Sequence, residues 1–320
     1  MTVVAAYVVC ALVWGTTWFA IRVCIGPGGY PTIPAAALRF TLAAAILLPI
    51  VWRGWARPGP SGRRQWSWLV LAGLLNAVGY GLVYVGEETI SGGLAAVLFG
   101  TEPLAVALLV TVTRTEKVRA TDIAGALIAL AGIGLVFWDR LEVSSEQALG
   151  VGLVLTAVLV SCLHNLIMKR HAGNMHPLAA ATVFITVTCV ALWGFALARG
   201  WEALPWPPPL EPSLALLYLA GFGSVLAFAA YFYLLKRISL MTSASLVFVL
   251  PIVALGVDAL WEKDVVLAGR TYAGIAVTLI GVVLSVGLRS LETRAASNGS
   301  KVNVEVKAGV GVEAEPVVTR

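Results

Sequence analysis

"ISGGLAAVLFGTEPLAVALLV", Ile90 to Val110, is apolar apart from a few small hydroxyl residues and one carboxylate, Glu102, which Pro103 follows at once. The run is long enough to cross a hydrocarbon core of ~30 Å as a helix. Yet its middle holds an ionisable group beside the residue least compatible with a continuous helix. An ionised side chain at the bilayer centre costs about 2.5–3.5 kcal/mol on insertion scales, so such residues face protein or a water-filled cavity. At 1.5 Å per residue Glu102 sits ~16 Å into the run, close to a bilayer midplane. Pro103 lacks an N–H and crowds the preceding turn, so a kink is expected there. The freed carbonyls beside a carboxylate can hold a cation, an ammonium group or a proton, and Glu102 is read either as lining a substrate path or as a protonated or hydrogen-bonded residue that packs two helices.

Nine further stretches share this apolar character, near residues 3–25, 34–52, 66–86, 120–138, 148–168, 177–198, 212–235, 239–260 and 270–288. The chain of 320 residues is 59% hydrophobic and only 12% charged, about half the charge of a soluble domain. The expectation is an all-α integral membrane protein with ten transmembrane helices. Tryptophans near span ends, among them Trp52, Trp66, Trp138, Trp201, Trp206 and Trp261, suit the headgroup layer. No basic n-region precedes the first stretch, which is read as a retained helix.

Loop charges set an expected orientation. Arg53, Arg57, Arg63, Arg64, Arg114, Lys117, Arg119, Lys169, Arg170, Lys236, Arg237, Arg289 and Arg294 fall on one side, against Arg140, Arg199, Lys263 and Arg270 on the other. The positive-inside rule places both termini in the cytoplasm. Basic residues spread over short loops in this way call for no nucleic-acid partner. Cys10, Cys24, Cys162 and Cys189 form no C-x-x-C pair, and His171 and His176 have no nearby cysteine or carboxylate, so neither a disulfide framework nor a metal site is expected.

An offset of 148 residues lays Ile90-Ser91 on Ile238-Ser239, Ala96 on Ala244, Leu98 on Leu246, Pro103 on Pro251 and Arg22 on Arg170. An offset of 149 lays Ala124-Gly125 on Ala273-Gly274 and Gly132 on Gly281. The chain therefore divides into two repeats, residues 1–140 and 141–289, with a polar tail at 290–320 read as a disordered cytoplasmic extension. Five spans per copy turn the second copy upside down, the inverted architecture of carriers whose substrate site lies between the halves. Gly125 and Gly132, like Gly274 and Gly281, lie two helical turns apart on one face, where small residues let backbones approach. They are read as helix-packing positions, and Pro103 and Pro251 as kinks.

Other polar and aromatic residues within spans are candidates for the substrate path. Arg39 either binds a substrate carboxylate, pairs with an acid such as Asp258, or extends its stem toward the headgroups. His164, beside Asn165, is the group best suited to titrate near neutral pH, or else a hydrogen-bonded packing residue. Asn76, Tyr80 and Tyr84 form an i, i+4, i+8 stripe, and Tyr231, Trp14 and Thr17 lie within their spans; such stripes serve as core or as cavity walls. Arg22 and Arg170, at helix ends, are read as anchors.

"ALVWGTTWFAIR" (11–22), "AAALRFTLAAAILL" (35–48) and "LVFVLPIVALGVDALWEKDVVLAGRTYAGIAVTLIGVVL" (246–284) resemble the EamA family of the drug/metabolite transporter superfamily. Matching features are Trp14-Gly15, Arg39, Pro103, Pro251, Glu116, Glu262 and the glycine-rich fifth and tenth spans. The resemblance implies a ten-helix inverted-repeat carrier of the bacterial plasma membrane that exports small metabolites such as amino acids or drug-like compounds, without cofactor or catalytic residues. One departure is Leu250, where the first copy has Glu102, which makes the polar site asymmetric.

The expected partners are a small-molecule substrate and the lipid bilayer, with proton coupling through Glu102 or His164 left open. A channel or lipid-flipping protein of the same fold is the nearest alternative. A membrane-embedded enzyme on lipid-linked substrates would need acid or histidine clusters, and the chain offers only Glu87-Glu88 and Glu262/Asp264. No G-x-x-x-x-G-K-[ST] motif is present, so ATP drive is not expected.

Overall fold

The structure, a computed structural model, describes residues 2–54, 62–90, 92–136, 138, 147–200, 202–253 and 269–284. Asp258, Glu262, Asp264, the end of the ninth stretch and the tail at 290–320 lie outside the described residues. Among the described residues the chain is helical and contains no strand. Helices α1 (Val3–Ile25), α2 (Thr32–Trp52) and α3 (Arg63–Gly86) come first, followed by α4 (Gly92–Phe99), α5 (Glu102–Val112) and α6 (Ala120–Val136). Then come α7 (Ala148–His171), α8 (Pro177–Arg199), α9 (Leu210–Ala220), α10 (Ala227–Leu235), α11 (Leu240–Ala244) and α12 (Gly269–Val282).

Among the described residues six runs are long and apolar enough to cross a membrane: α1, α2, α3, α7, α8 and the continuous Leu210–Leu235. Their boundaries follow local chemistry. Thr2 caps α1 by accepting the Ala5 N–H at 3.2 Å. Pro177 opens α8, where its missing N–H is no loss. Gly200, at φ 106°, closes α8 in a conformation that disfavours a side chain.

The expected kink at Pro103 is instead a break ahead of it. Helix α4 ends at Phe99, a tight turn follows in which Thr101 N–H reaches Leu98 O at 3.1 Å, and α5 starts at Glu102. A proline ring cannot sit against the carbonyl four residues back, so the helix restarts with Pro103 in its first turn. The second copy repeats the device. After α11 a 3-10 turn spans Ser245–Phe248, Val249 N–H reaches Leu246 O at 3.0 Å, and helix resumes before Pro251. Both tight-turn bonds occupy the same place under the 148-residue offset. The run from Leu210 is interrupted differently, by a π turn at Gly221–Leu226.

Helix α3 packs against α7 and α8, α2 against α8 and α9, α1 against α9 and α10, and α6 against α12. Alanines and phenylalanines fill the interior, with Ala36, Ala37, Phe40, Phe184 and Phe248 fully buried. Val4, Leu12, Leu108, Leu159 and Val190 point outward. Helices apolar on every side, with backbone groups satisfied within each segment, suit a hydrocarbon solvent. Trp52, the last residue of α2, and Trp206, in the bend ahead of α9, are 92% and 88% exposed.

At the α6–α12 contact the two helices nearly touch backbone to backbone. A Cβ on Gly132 would overlap Thr278, and one on Gly281 would meet Gly125 O at 2.5 Å. Gly274 faces Gly132 O and Val136 in the same way. Thr278 Oγ1 donates to its own helix at Gly274 O, 2.8 Å away.

Candidate functional site

A cavity of about 170 Å3 opens between α1, α2, α3, the α4–α5 break, α7, α10 and α11. Glu102, Arg39, Trp14, Thr17, Asn76, Tyr80, Tyr84, His164 and Tyr231 all line it. Helical spacing alone left each of these open to a packing role; the fold gathers them around one space.

Arg39 sets one wall. It is 1% exposed and does not extend toward the headgroups, which corrects the anchoring alternative. Buried guanidinium is tolerated only when its fork of donors finds acceptors. Nε donates to Ser224 Oγ at 2.9 Å and Nη2 to Gly223 O at 3.0 Å. The group also meets the Tyr84 hydroxyl and lies 5.3 Å from the Tyr80 ring centroid. Ser224 and Gly223 come from the π turn, where one extra residue per turn loosens the backbone ladder. Ser224 Oγ donates to Leu219 O at 3.0 Å, and Trp14 Nε1 shares Gly223 O at 3.2 Å. No carboxylate pairs with Arg39 among the described residues.

Glu102 sets another wall from the first turn of α5. Asn165 Nδ2 donates to its Oε1 at 3.2 Å, and Cys162 Sγ donates to its backbone oxygen at 3.8 Å. Asn165 Oδ1 and His164 Nδ1 are buried without a hydrogen-bond partner among the described residues. The His164 ring packs 5.3 Å from that of Phe184. Aromatic rings complete the lining: Tyr231 lies 5.0 Å from Trp14, and Tyr80 meets Phe40 edge-on at 4.9 Å. Asn76 donates to Thr188 Oγ1 at 3.1 Å, tying α3 to α8. Thr17 donates to Trp14 O at 2.7 Å. Tyr233 points elsewhere, under Arg237 at 3.6 Å.

Five pairs of lining residues are related by the 148-residue offset: Thr17 with Asn165, Tyr80 with Phe228, Val83 with Tyr231, Phe99 with Val247, and Glu102 with Leu250. The two copies thus contribute the same positions with different chemistry. The offset held a signal that helical spacing did not use. Ser224 is the counterpart of Asn76 and Phe228 that of Tyr80, so both could have been nominated. Nothing in the sequence marks Gly223 or its carbonyl.

The profile of the EamA-like transporter family matches residues 1–138 and again 148–287. The inner membrane transporter YedA of Escherichia coli K12 is 31% identical over 284 residues, covering 85% of each chain. PagO of Salmonella typhimurium is 24% identical over 290 residues, covering 89% of this chain and 93% of its own. A probable terminal-alkyne amino-acid exporter of Streptantibioticus cattleyicolor is 26% identical over 278 residues, covering 81% of this chain and 85% of its own. One solved crystal structure superposes with a TM-score of 0.72 at 18% identity, over 91% of this chain and 98% of the other, a likeness of fold alone.

Proposed function

The chain belongs to the EamA-like transporter family, and from that premise we propose that it is a secondary carrier, not an enzyme, which exports a small metabolite through the Arg39–Glu102 cavity by alternating access. The observation that carries this reading is the cavity's composition. Counterpart positions of both copies line it, and it holds a buried arginine without a carboxylate partner among the described residues together with a buried carboxylate. Arg39 offers an anionic group its donors, Glu102 and Asn165 offer an amine their acceptors, and the aromatic rings suit an apolar body between them. The name of the Streptantibioticus relative supports an amino-acid-like substrate class.

The packing supports the finer architecture of ten spans in two inverted five-helix repeats. Exchanging the copies turns the α3–α7 contact into the contact of α1 with α9 and α10, and leaves α2–α8 and α6–α12 as they are. Two such halves can rock about a central site and expose it alternately. The gathering of Arg63, Arg64, Arg114, Lys117, Lys169, Arg170 and Lys236 at helix ends and in the turns between them supports cytoplasmic termini.

The test is counterflow in proteoliposomes with a panel of radiolabelled amino acids, organic acids and organic amines. A carrier shows uptake accelerated by unlabelled substrate on the far side. Uptake without such trans-stimulation for every compound taken up would favour a channel and end the carrier reading.

A further inference from the structure

Glu116 lies in the loop between α5 and α6, and both of its carboxylate oxygens accept the Leu240 N–H, at 2.8 and 3.0 Å. Leu240 opens α11, so its N–H has no partner within its own helix. Lys169, in the last turn of α7, stands 3.6 Å from Glu116 Oε1 and also donates to Leu235 O at 2.9 Å and to Ile238 O. Beside it Arg170, in the same last turn, donates to Thr113 O at 3.2 Å and to Thr115 Oγ1. Each bond that Glu116 and Arg170 make here runs from residues 113–116 of one copy to residues 169–170 or 240 of the other.

The cluster sits directly outside the cavity. Ser243 and Asn165 line the cavity, and each is about one helical turn from a member of the cluster, Leu240 and Lys169 respectively. Leu240 and Lys169 thus tie two helices that line the cavity, α11 and α7, to the loop that carries Glu116. The chemistry is suited to a reversible contact: water can take over the N–H and the carboxylate when they part, so no buried group is stranded. Glu116 and Lys169 side chains are 14% and 20% exposed, at the edge of solvent.

We infer that the Glu116–Leu240 contact, braced by Lys169, is the latch that closes the cavity on the face carrying the basic loops, an inference that rests on the carrier reading above. The brace belongs to one face. The 148-residue offset places Ile21 where Lys169 stands, so the opposite end has no lysine in that position.

The test uses Ser161→Cys as a reporter within the cavity, in a full-length chain whose four native cysteines are alanine. A membrane-impermeant maleimide is added to right-side-out or inside-out vesicles. Glu116→Ala is expected to raise the labelling rate from the basic face about tenfold, the weight of one charge-assisted hydrogen bond, and to lower it from the other face. Glu116→Gln keeps an oxygen for the Leu240 N–H but loses the pairing with Lys169, so it falls between Glu116→Ala and the parent. Lys169→Met gives a few-fold rise and serves where Glu116→Ala does not insert. Unchanged labelling in inserted Glu116→Ala or Lys169→Met overturns the latch. In that case substrate protection of the reporter from the opposite face leaves the carrier reading standing, and equal reactivity from both faces without protection removes both.

Discussion

The hydroxyl of Thr41 lies 3.3 Å from the sulfur of Cys189, and the two positions are 148 residues apart, the same offset that aligns the two copies of the sequence. Residues that are each other's counterparts can touch only where the axis relating the copies passes between them. The second such contact, Thr278 Oγ1 to Ala129 O at 3.5 Å, spans 149 residues, the offset that aligns α6 with α12. Thr41→Cys is therefore expected to cross-link to Cys189 under mild oxidation, joining α2 to α8. Fragments that stay together on a non-reducing gel after cleavage in the loop between α6 and α7 report the link. Absence of a link in the folded variant would remove this contact from the axis.

Arg39 is held by donors aimed at fixed acceptors, so its nearest chemical relative is a poor substitute. Arg39→Lys keeps the charge but cannot reach Ser224 and Gly223 O together. A loss of about 1.5–3 kcal/mol is expected for each charged hydrogen bond left unmade. Thermal unfolding in detergent, followed by tryptophan fluorescence, reads the change, and Ser224→Ala is expected to reproduce part of it.

Glu102→Leu copies into the first half the residue that the second half carries as Leu250. The apolar replacement relieves the burial of a carboxylate but leaves Asn165 Nδ2 without its acceptor, effects of opposite sign, so the protein is expected to insert with a stability close to that of the parent. Counterflow of an amine-bearing substrate is expected to fall at least tenfold, in keeping with a lost charge-assisted bond. Undiminished counterflow at every pH would separate Glu102 from transport.

Gly132 and Gly134 lie on the same helix and give a paired test of the α6–α12 seam. A Cβ at Gly132 overlaps Thr278, whereas one at Gly134 meets nothing within 4 Å. Alanine in place of glycine within a helix stabilises by up to about 1 kcal/mol when space permits. Gly134→Ala is expected to raise the midpoint of thermal unfolding and Gly132→Ala to lower it, by about 1–3 kcal/mol for a forced overlap. Equal shifts in the two variants would show that the seam yields.

The long helices are legible in the sequence because apolar composition over a span length is a local property. The starts of α1 and α7 at Val3 and Ala148 coincide with the stretches read from composition. The breaks are less legible. Pro103 announces a disturbance, but whether a helix bends through a proline or restarts ahead of it depends on the turn at Leu98–Thr101 and on what packs there. The π turn at Gly221–Leu226 has no proline at all. It is matched to a guanidinium arriving from a helix far away in sequence, and no local pattern carries that information. The same applies to Glu102 and Asn165, each visible alone as a polar residue in an apolar run, while their bond exists only once α5 lies on α7.

The glycine contact between α6 and α12 has a consequence for motion. Where two backbones lie against each other at the glycines, with Thr278 and Val136 beside them, few side chains remain to slide or re-pack. A pair joined in this way resists sliding, so a carrier of the kind proposed would turn about this seam and not through it.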